Sequence, residues 1–403
     1  MFETGPFRSC PRCRKDSFGI LSVGGRTLTR RCAACRYSHS EELPAVDKKV
    51  VYLDQFAISE LFKIKTNKRR VGAPHEAFWR DVLTLADRAY LRQQVVFPAS
   101  NIHSDETIVW HSPDDLKIAH AMLSGETSFR STDDIAAEHE LEFANAYLLQ
   151  QAPPKLVFDV DDVLSGDRNV WLPKFHIDVK MNLSMFADGI RADKGLAEEK
   201  LGALADRWAS EKPTFDSVLR YELSSYGSAT KHAITHAFSQ AQKAISSNDP
   251  MSILDLRTGW ISRFNGLRFF FEQRGVPRGE SGSAVTKFLD WPGNERQPTH
   301  RISAYLFAAL AWRISSGQRP NVKASVLNDF TAISTYAPYV DAMFVDNQCA
   351  SLLNEGRLRT ELTYNARIFS LSSRDEFLQY LTDLGDSAAG DVRADADDIY
   401  GKT

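Results

Sequence analysis

Hydrophobic residues fall into two patterns along this chain. Short, nearly continuous apolar runs lie toward its two ends: KKVVYLD at 48–54, VVFP at 95–98, DAMFVD at 341–346 and ARIFSL at 366–371. Such runs read as strands buried on both faces, the pattern of a parallel sheet, and Pro98 ends the second. Around them, apolar residues recur every three or four positions. FAISELFKIK at 56–65 is a short helix. HEAFWRDVLTLADRAYLRQQ at 75–94 places Phe78, Val82, Leu85 and Ala89 on one face. Residues 325–337, 348–355 and SRDEFLQYLTDL at 373–384 continue the alternation. ASNIHSDET at 99–107 opens a further helix with Ser100 or Asn101 as its cap. Strand and helix alternate, which predicts an α/β fold with a parallel sheet flanked by helices.

The middle of the chain breaks this alternation. IAAEHELEFANAYLLQ, LAEEKLGALADRWAS, THAFSQAQKAISS and HRISAYLFAALAWRI are amphipathic or buried helices with no repeat period. Gly166, Pro173, the segment around Pro250 and GVPRGESGSA at 275–284 mark loops. We therefore expect an α/β domain split into 47–106 and 321–384 by a large helical insertion, 107–320. The tail 385–403, small residues with five aspartates, reads as disordered.

Residues 1–46 form a separate unit. Cys10-x-x-Cys13 and Cys32-x-x-Cys35 stand 18 residues apart. FGILSVGGRTLTRR between them alternates about Gly24-Gly25, a hairpin joining two metal-binding knuckles. This is the zinc-ribbon pattern: four thiolates suit tetrahedral Zn²⁺ in a closed structural site. So small a unit draws its folding energy from the metal.

Composition adds limits. Hydrophobic content of 43% and charged content of 25% fit a globular protein with a sizeable core. A net charge of −3 excludes a polyanion binder by bulk charge, so any nucleic-acid surface is local. Residues 1–49 are such a locality, with ten Lys/Arg against five Asp/Glu. Lys63, Lys65, Lys68, Arg69 and Arg70 form a second basic knot. No apolar stretch reaches the ~20 residues that span a bilayer, and Ile302 to Ile314 reads as a buried helix. With no apolar signal core at the N-terminus and paired CxxC motifs, a cytoplasmic, reducing setting is expected.

Candidate chemistry lies where the apolar runs stop. VVYLD ends on Asp54 and DAMFVD on Asp346, and in an open parallel sheet such residues face the crevice at the carboxyl edge. Glu106 follows the second strand, although Asp105 beside it is an alternative. Asp329 begins a helix that runs back to the same edge. Four acids brought together would repel and raise one another's pKa values unless cations neutralised them. Mg²⁺ or Mn²⁺ removes that repulsion and supplies phosphodiester chemistry. Asp341 starts the strand that Asp346 ends, and five residues put them roughly 16 Å apart, too far for one ion cluster. Ser59, Asn101 and His103 are candidate supporting groups. An aspartate after a strand is more often a plain helix cap, so the set matters more than any member.

These segments, 48–106 and 325–384, resemble the PIN-domain nuclease family, including its toxin-type members. The resemblance rests on VVYLD followed by a short helix with Ser59, VVFPAS followed by Glu106, Asp329 at a helix start, YVDAMFVDN, and ARIFSLSSRDEFLQYL as closing strand and helix. It implies a metal-dependent ribonuclease with Asp54, Glu106, Asp329 and Asp346 as catalytic metal ligands. It implies RNA rather than DNA as substrate, and by analogy a toxin or phage-defence role with a protein partner or antitoxin.

Rival readings remain. The frame could serve as an inactive nucleic-acid or protein-binding scaffold. KLVFDVDDVL at 155–164 resembles the first motif of haloacid-dehalogenase-like phosphatases, with Asp159 as nucleophile and Asp161 as general acid. That fold needs further parallel strands, and the helical pattern that follows supplies none. His176-Ile177-Asp178 and His232/His236 have metal-like spacings but read as surface residues. Arg263, Arg268 and Arg274 interleave with Trp260, Phe264 and Phe269–Phe271, where bases could stack, yet a buried helix is the commoner meaning. Cys349 reads as a small core residue.

Overall fold

The fold is described from a computed structural model covering residues 7–70, 72–103, 127–173, 187–247, 259–320 and 322–401. The N-terminal unit is a four-stranded antiparallel sheet, β1 Arg8–Ser9, β2 Asp16–Gly24, β3 Thr27–Cys32 and β4 Ser38–Glu42. Strands β2 and β3 form the expected hairpin, and Gly25 takes a φ of +59° at its turn.

The main domain is built on β5 Lys49–Leu53, followed by α1 Gln55–Lys65, α2 Glu76–Leu91 and β6 Val95–Val96. The intervening chain forms β7 Ser128–Phe129, α3 Thr132–Leu148, β8 Leu164–Ser165, α4 Ala187–Glu211, α5 Phe215–Ser247, α6 Gly259–Gln273, α7 Arg278–Leu289 and α8 Pro298–Ser315. Then come α9 Ser325–Tyr336, β9 Ala342–Phe344, α10 Asn347–Leu353, α11 Gly356–Glu361, β10 Arg367–Phe369, α12 Arg374–Asp386 and α13 Gly390–Tyr400. The central sheet runs β10-β9-β5-β6 with every pair parallel, so chain segments far apart in sequence share one sheet.

Alternation along the strands separates two cores. Val51, Leu53, Ala342, Phe344 and Phe369 face α1, α2 and α12, where Phe78, Trp79 and Phe377 meet them. Val50, Tyr52, Met343 and Val345 face the opposite layer with Phe330 and Tyr336 of α9. A strand covered on both sides must be apolar at every position, which is why these runs are continuous. Each fully buried aliphatic or aromatic side chain contributes about 1.5–3 kcal/mol.

Two expectations need correction. Helix α8 falls within the span read as an insertion, yet Ile302, Tyr305 and Leu306 belong to the core that covers the sheet. The helices that form a core of their own are α3, α5, α6 and α7, through Phe143, Ile234, Phe271 and Phe288. There Gly227 lets α5 approach the end of α7 so closely that a Cβ would stand 2.2 Å from the Leu289 carbonyl oxygen. The tail read as disordered is instead helix α13. Its Val392, Ala396 and Ile399 pack on Val23, Leu28 and Leu43 of the N-terminal unit and on Trp171. Asp398 pairs with Arg8 and with the buried Arg30, and the Tyr400 hydroxyl donates to the Leu172 carbonyl over 2.7 Å. Asp398 is therefore a counter-charge to the N-terminal unit, while Asp386 pairs with Arg88 of α2. Among the described residues no helix is long and apolar enough to cross a membrane.

Candidate metal centre

The carboxyl edge of the sheet gathers three of the four acids. The Asp54 N–H donates to the Phe344 carbonyl over 3.0 Å, extending the β5–β9 ladder one residue past Leu53. Asp54 is thereby fixed beside the end of β9, and Asp346 lies two residues beyond Phe344. Each aspartate also caps a helix. Asp54 Oδ1 accepts from the Gln55 N–H at 2.7 Å, and Asp346 Oδ1 from the Cys349 N–H at 2.6 Å. Capping uses one oxygen of a carboxylate that has two, so it does not preclude a second role.

Asp329 reaches the same point from the first turns of α9. One oxygen each of Asp329 and Asp346 and the sulfur of Cys349 lie within 4.8 Å of one another. Asp54 belongs to the same electrostatic neighbourhood. Burial, then the negative charge of Asp329 and Asp346, and to a lesser degree that of Asp54, push the Cys349 thiol well above its ordinary range. Asp329, Asp346 and Cys349 thus share one small volume, and Asp54, nearly three hundred residues earlier in the sequence, acts on the same thiol through its charge.

The other candidates divide. Glu106, Asp105, His176 and Asp178 lie outside the described residues. Asp341 sits at the opposite edge, where it accepts from the Val50 N–H at 2.9 Å and pairs with Lys49 at 3.0 Å. Ser59 is buried on α1. Asn101 reaches toward Thr132 and Tyr336 instead of the acids. The His103 ring stacks on Tyr52 and its Nδ1 accepts from the Ser100 N–H, while the His103 main-chain N–H donates to the Ser100 hydroxyl, which makes Ser100 the cap. Cys349 is fully buried in the core, as its sequence setting suggests, on the first turn of the helix that Asp346 caps.

A second cluster lies in the N-terminal unit. Cys10 Sγ is 3.6 Å from Cys35 Sγ, and Cys13 Sγ is 3.7 Å from Cys32 Sγ. All four sulfurs lie within 4.8 Å of one another, and none is in a disulfide. Sulfurs bonded to one tetrahedral ion at about 2.3 Å stand roughly 3.8 Å apart, so the donor set fits such an ion. The Ser17 hydroxyl, 3.1 Å from Cys32 Sγ, lowers that thiol's pKa to about 6, with help from backbone N–H groups of Cys35 and Ala34. Charge is segregated around this cluster. Arg26, Arg30 and Arg8 pair with Glu42, Glu41 and Asp398. Arg12, Arg14, Lys15, Arg31 and Arg36, each within two residues of a cysteine, are exposed and enter no ion pair among the described residues.

The rival motifs lose ground locally. Residues 155–159 form no strand. Asp159 caps a 3-10 turn, Val160–Val163, and Asp161 pairs with Arg168 at 2.7 Å. His232 and His236 are exposed on α5 with stacked rings 6.5 Å apart, and among the described residues they belong to no metal-ligating cluster. Helix α6 buries only Leu267 and Phe271, while Trp260 and Phe269 remain exposed, so the helix is less buried than its sequence suggests. Arg263 is drawn inward to the buried Glu140, which also accepts from the Tyr226 hydroxyl.

Comparison with protein-family models, with curated proteins and with solved structures gives no match for this chain.

Proposed function

We propose that the chain is a divalent-metal-dependent ribonuclease whose active site is the carboxyl edge of the parallel sheet. One observation supports the reading: Asp329 and Asp346, from different elements, have carboxylate oxygens within 4.8 Å of each other, and Asp54 ends the strand beside them, its N–H bonded to the Phe344 carbonyl. Carboxylates clustered at a strand edge are costly without a cation, and oxygen donors in that number suit Mg²⁺ or Mn²⁺. Asp54, Asp329 and Asp346 would hold the ion, with Glu106 as the fourth acid of the motif. Such an ion activates water and neutralises charge on the phosphate. The chain's own part is to fix the carboxylates on a rigid ladder and two helix caps, so that they need little reorganisation.

The N-terminal cluster, with four thiols at tetrahedral spacing, would hold zinc as a structural ion. Its exposed cations form a footprint for a phosphate backbone. The preference for RNA, and the toxin or defence role with a protein antitoxin, rest on resemblance to PIN-domain nucleases. A reducing compartment such as the cytoplasm suits five unbridged thiols. Asp54→Asn keeps the helix cap and removes one charge. It is expected to lower Mn²⁺-dependent RNA cleavage by about a hundredfold or more. Cleavage at the wild-type rate would remove the site.

A further inference from the structure

Helix α6 turns a regular seam to solvent. Gly259, Ser262, Gly266, Phe269 and Gln273 follow one another at alternating steps of three and four, the spacing that keeps one helical stripe against a partner helix. All five are exposed, Phe269 by 63%. The stripe walls one side of a cavity of about 760 Å³, and Ala136, Ala137 and Leu141 of α3 wall the other. A helix interior disfavours glycine relative to alanine. The chain's own packing does not call for Gly266, since among the described residues a Cβ added there would meet nothing within 4 Å. Gly266 is thus a hole one turn away from a knob, Phe269, on the same face.

Charge is graded along this surface. Arg263 donates to Glu140 and Arg274 to Asn145, each at 2.7 Å, so α3 and α6 lie side by side and run in the same direction. Asp133 and Asp134, about two turns before Glu140, therefore stand beside the N-terminal end of α6. Arg274 follows its last turn, and the Arg263–Glu140 pair between the two ends is neutral. One end of the groove is acidic and the other basic.

We propose that a second copy of this chain covers the seam, in a two-fold dimer whose α6 helices run antiparallel. With the axis passing between residues 267 and 268, Phe269 of each copy seats on Gly266 of the other, and its ring fills the apolar cavity. The same register sets Ser262 against Gln273, where hydroxyl and amide can hydrogen-bond. It also carries Arg274 of each copy to the Asp133–Asp134 end of the other. A contact between identical surfaces requires this self-complementarity. The inference stands on α3 and α6 and is independent of the metal reading.

The mass of the full chain, followed by sedimentation velocity at concentrations up to about 100 μM, tests it. A particle of twice the chain mass is expected. Phe269→Glu changes an exposed position and should weaken association by about a hundredfold or more. Gly266→Leu, which plugs the hole, should also weaken it while helix content by circular dichroism is kept. Arg274→Glu, and Asp133→Lys with Asp134→Lys, should each weaken the dimer about tenfold, and all three changes in one chain should restore it. Oxidation reads the register: a chain with Ser262→Cys and Gln273→Cys should form a covalent dimer, and neither single variant should. A wild type that stays monomeric, or a dimer indifferent to Phe269→Glu, would overturn the proposal. Covalent dimers from the single variants would overturn the antiparallel arrangement. A monomer whose tryptophan emission shifts with single-stranded RNA, in wild type but not in Trp260→Phe, would give the groove to nucleic acid instead.

Discussion

Asp346 shows how one side chain can serve stability and chemistry together. Its carboxylate caps α10 through the Cys349 N–H and also faces Asp329. Asn caps a helix as well as Asp does, whereas Ala does not. Asp346→Asn should therefore keep or slightly raise the stability of the metal-free protein, because it relieves repulsion. Asp346→Ala should lose about 1 kcal/mol. Both should lose the stabilisation that Mn²⁺ confers on the wild type. Thermal unfolding with and without Mn²⁺ separates the two effects, and an unchanged Mn²⁺ response in Asp346→Asn would contradict the assignment. The strand-end aspartates could be read in the sequence because a buried apolar run that stops on a charge marks a sheet edge. Cys349 was legible too, since a lone cysteine amid apolar residues reads as core filling, and it is buried there.

Lys48 makes a second point at this scale. It is 1% exposed, with its ammonium on the Val170 carbonyl, and burial pulls its pKa to about 7 against the opposing pull of Asp167. Its folded pKa thus lies below the unfolded value, so between about pH 7 and 10 the unfolded chain binds more protons. Stability from this residue rises with pH across that window and is lost as pH falls through 7. Lys48→Met should flatten that slope and raise stability at pH 6 by roughly 1–3 kcal/mol, measured by denaturant unfolding across pH. An unchanged slope would show that the ammonium is solvated.

Among the elements, α13 departs most from its sequence. Four of its eleven residues are Asp, which suppresses any hydrophobic signal averaged over the segment. The stripe Val392, Ala396, Ile399 is present at i, i+4, i+7, but its worth depends on a partner surface nearly 400 residues away, including Arg30. No local reading contains that information. Ile399→Ala should cost about 2–4 kcal/mol and increase the exposure of Trp171, read as a red shift in tryptophan emission. A stability change within a few tenths of a kcal/mol would mean that α13 does not hold the N-terminal unit in place. The hairpin β2–β3 was legible for the opposite reason, since its turn, register and cysteines are all close in sequence.

For the molecule as a whole, sequence reasoning located the four sheet strands but not the boundary of the intervening helices. Strand signals survive because both faces are covered, so apolar runs stay continuous. Helix α8 was assigned to the insertion because position along the chain suggested it, yet its apolar surface belongs against the sheet. The parallel sheet joins β5 to β9 across nearly three hundred residues, so the candidate centre exists only in the folded state. Everything proposed for this protein's chemistry depends on that convergence. A crystal soaked in millimolar Mn²⁺ and measured for anomalous scattering tests it most directly. The account predicts a manganese peak at the carboxyl edge, about 2.1–2.3 Å from oxygens of Asp329 and Asp346 and bound to Asp54 directly or through water. Ordered side chains at that edge with no manganese peak between them would contradict it.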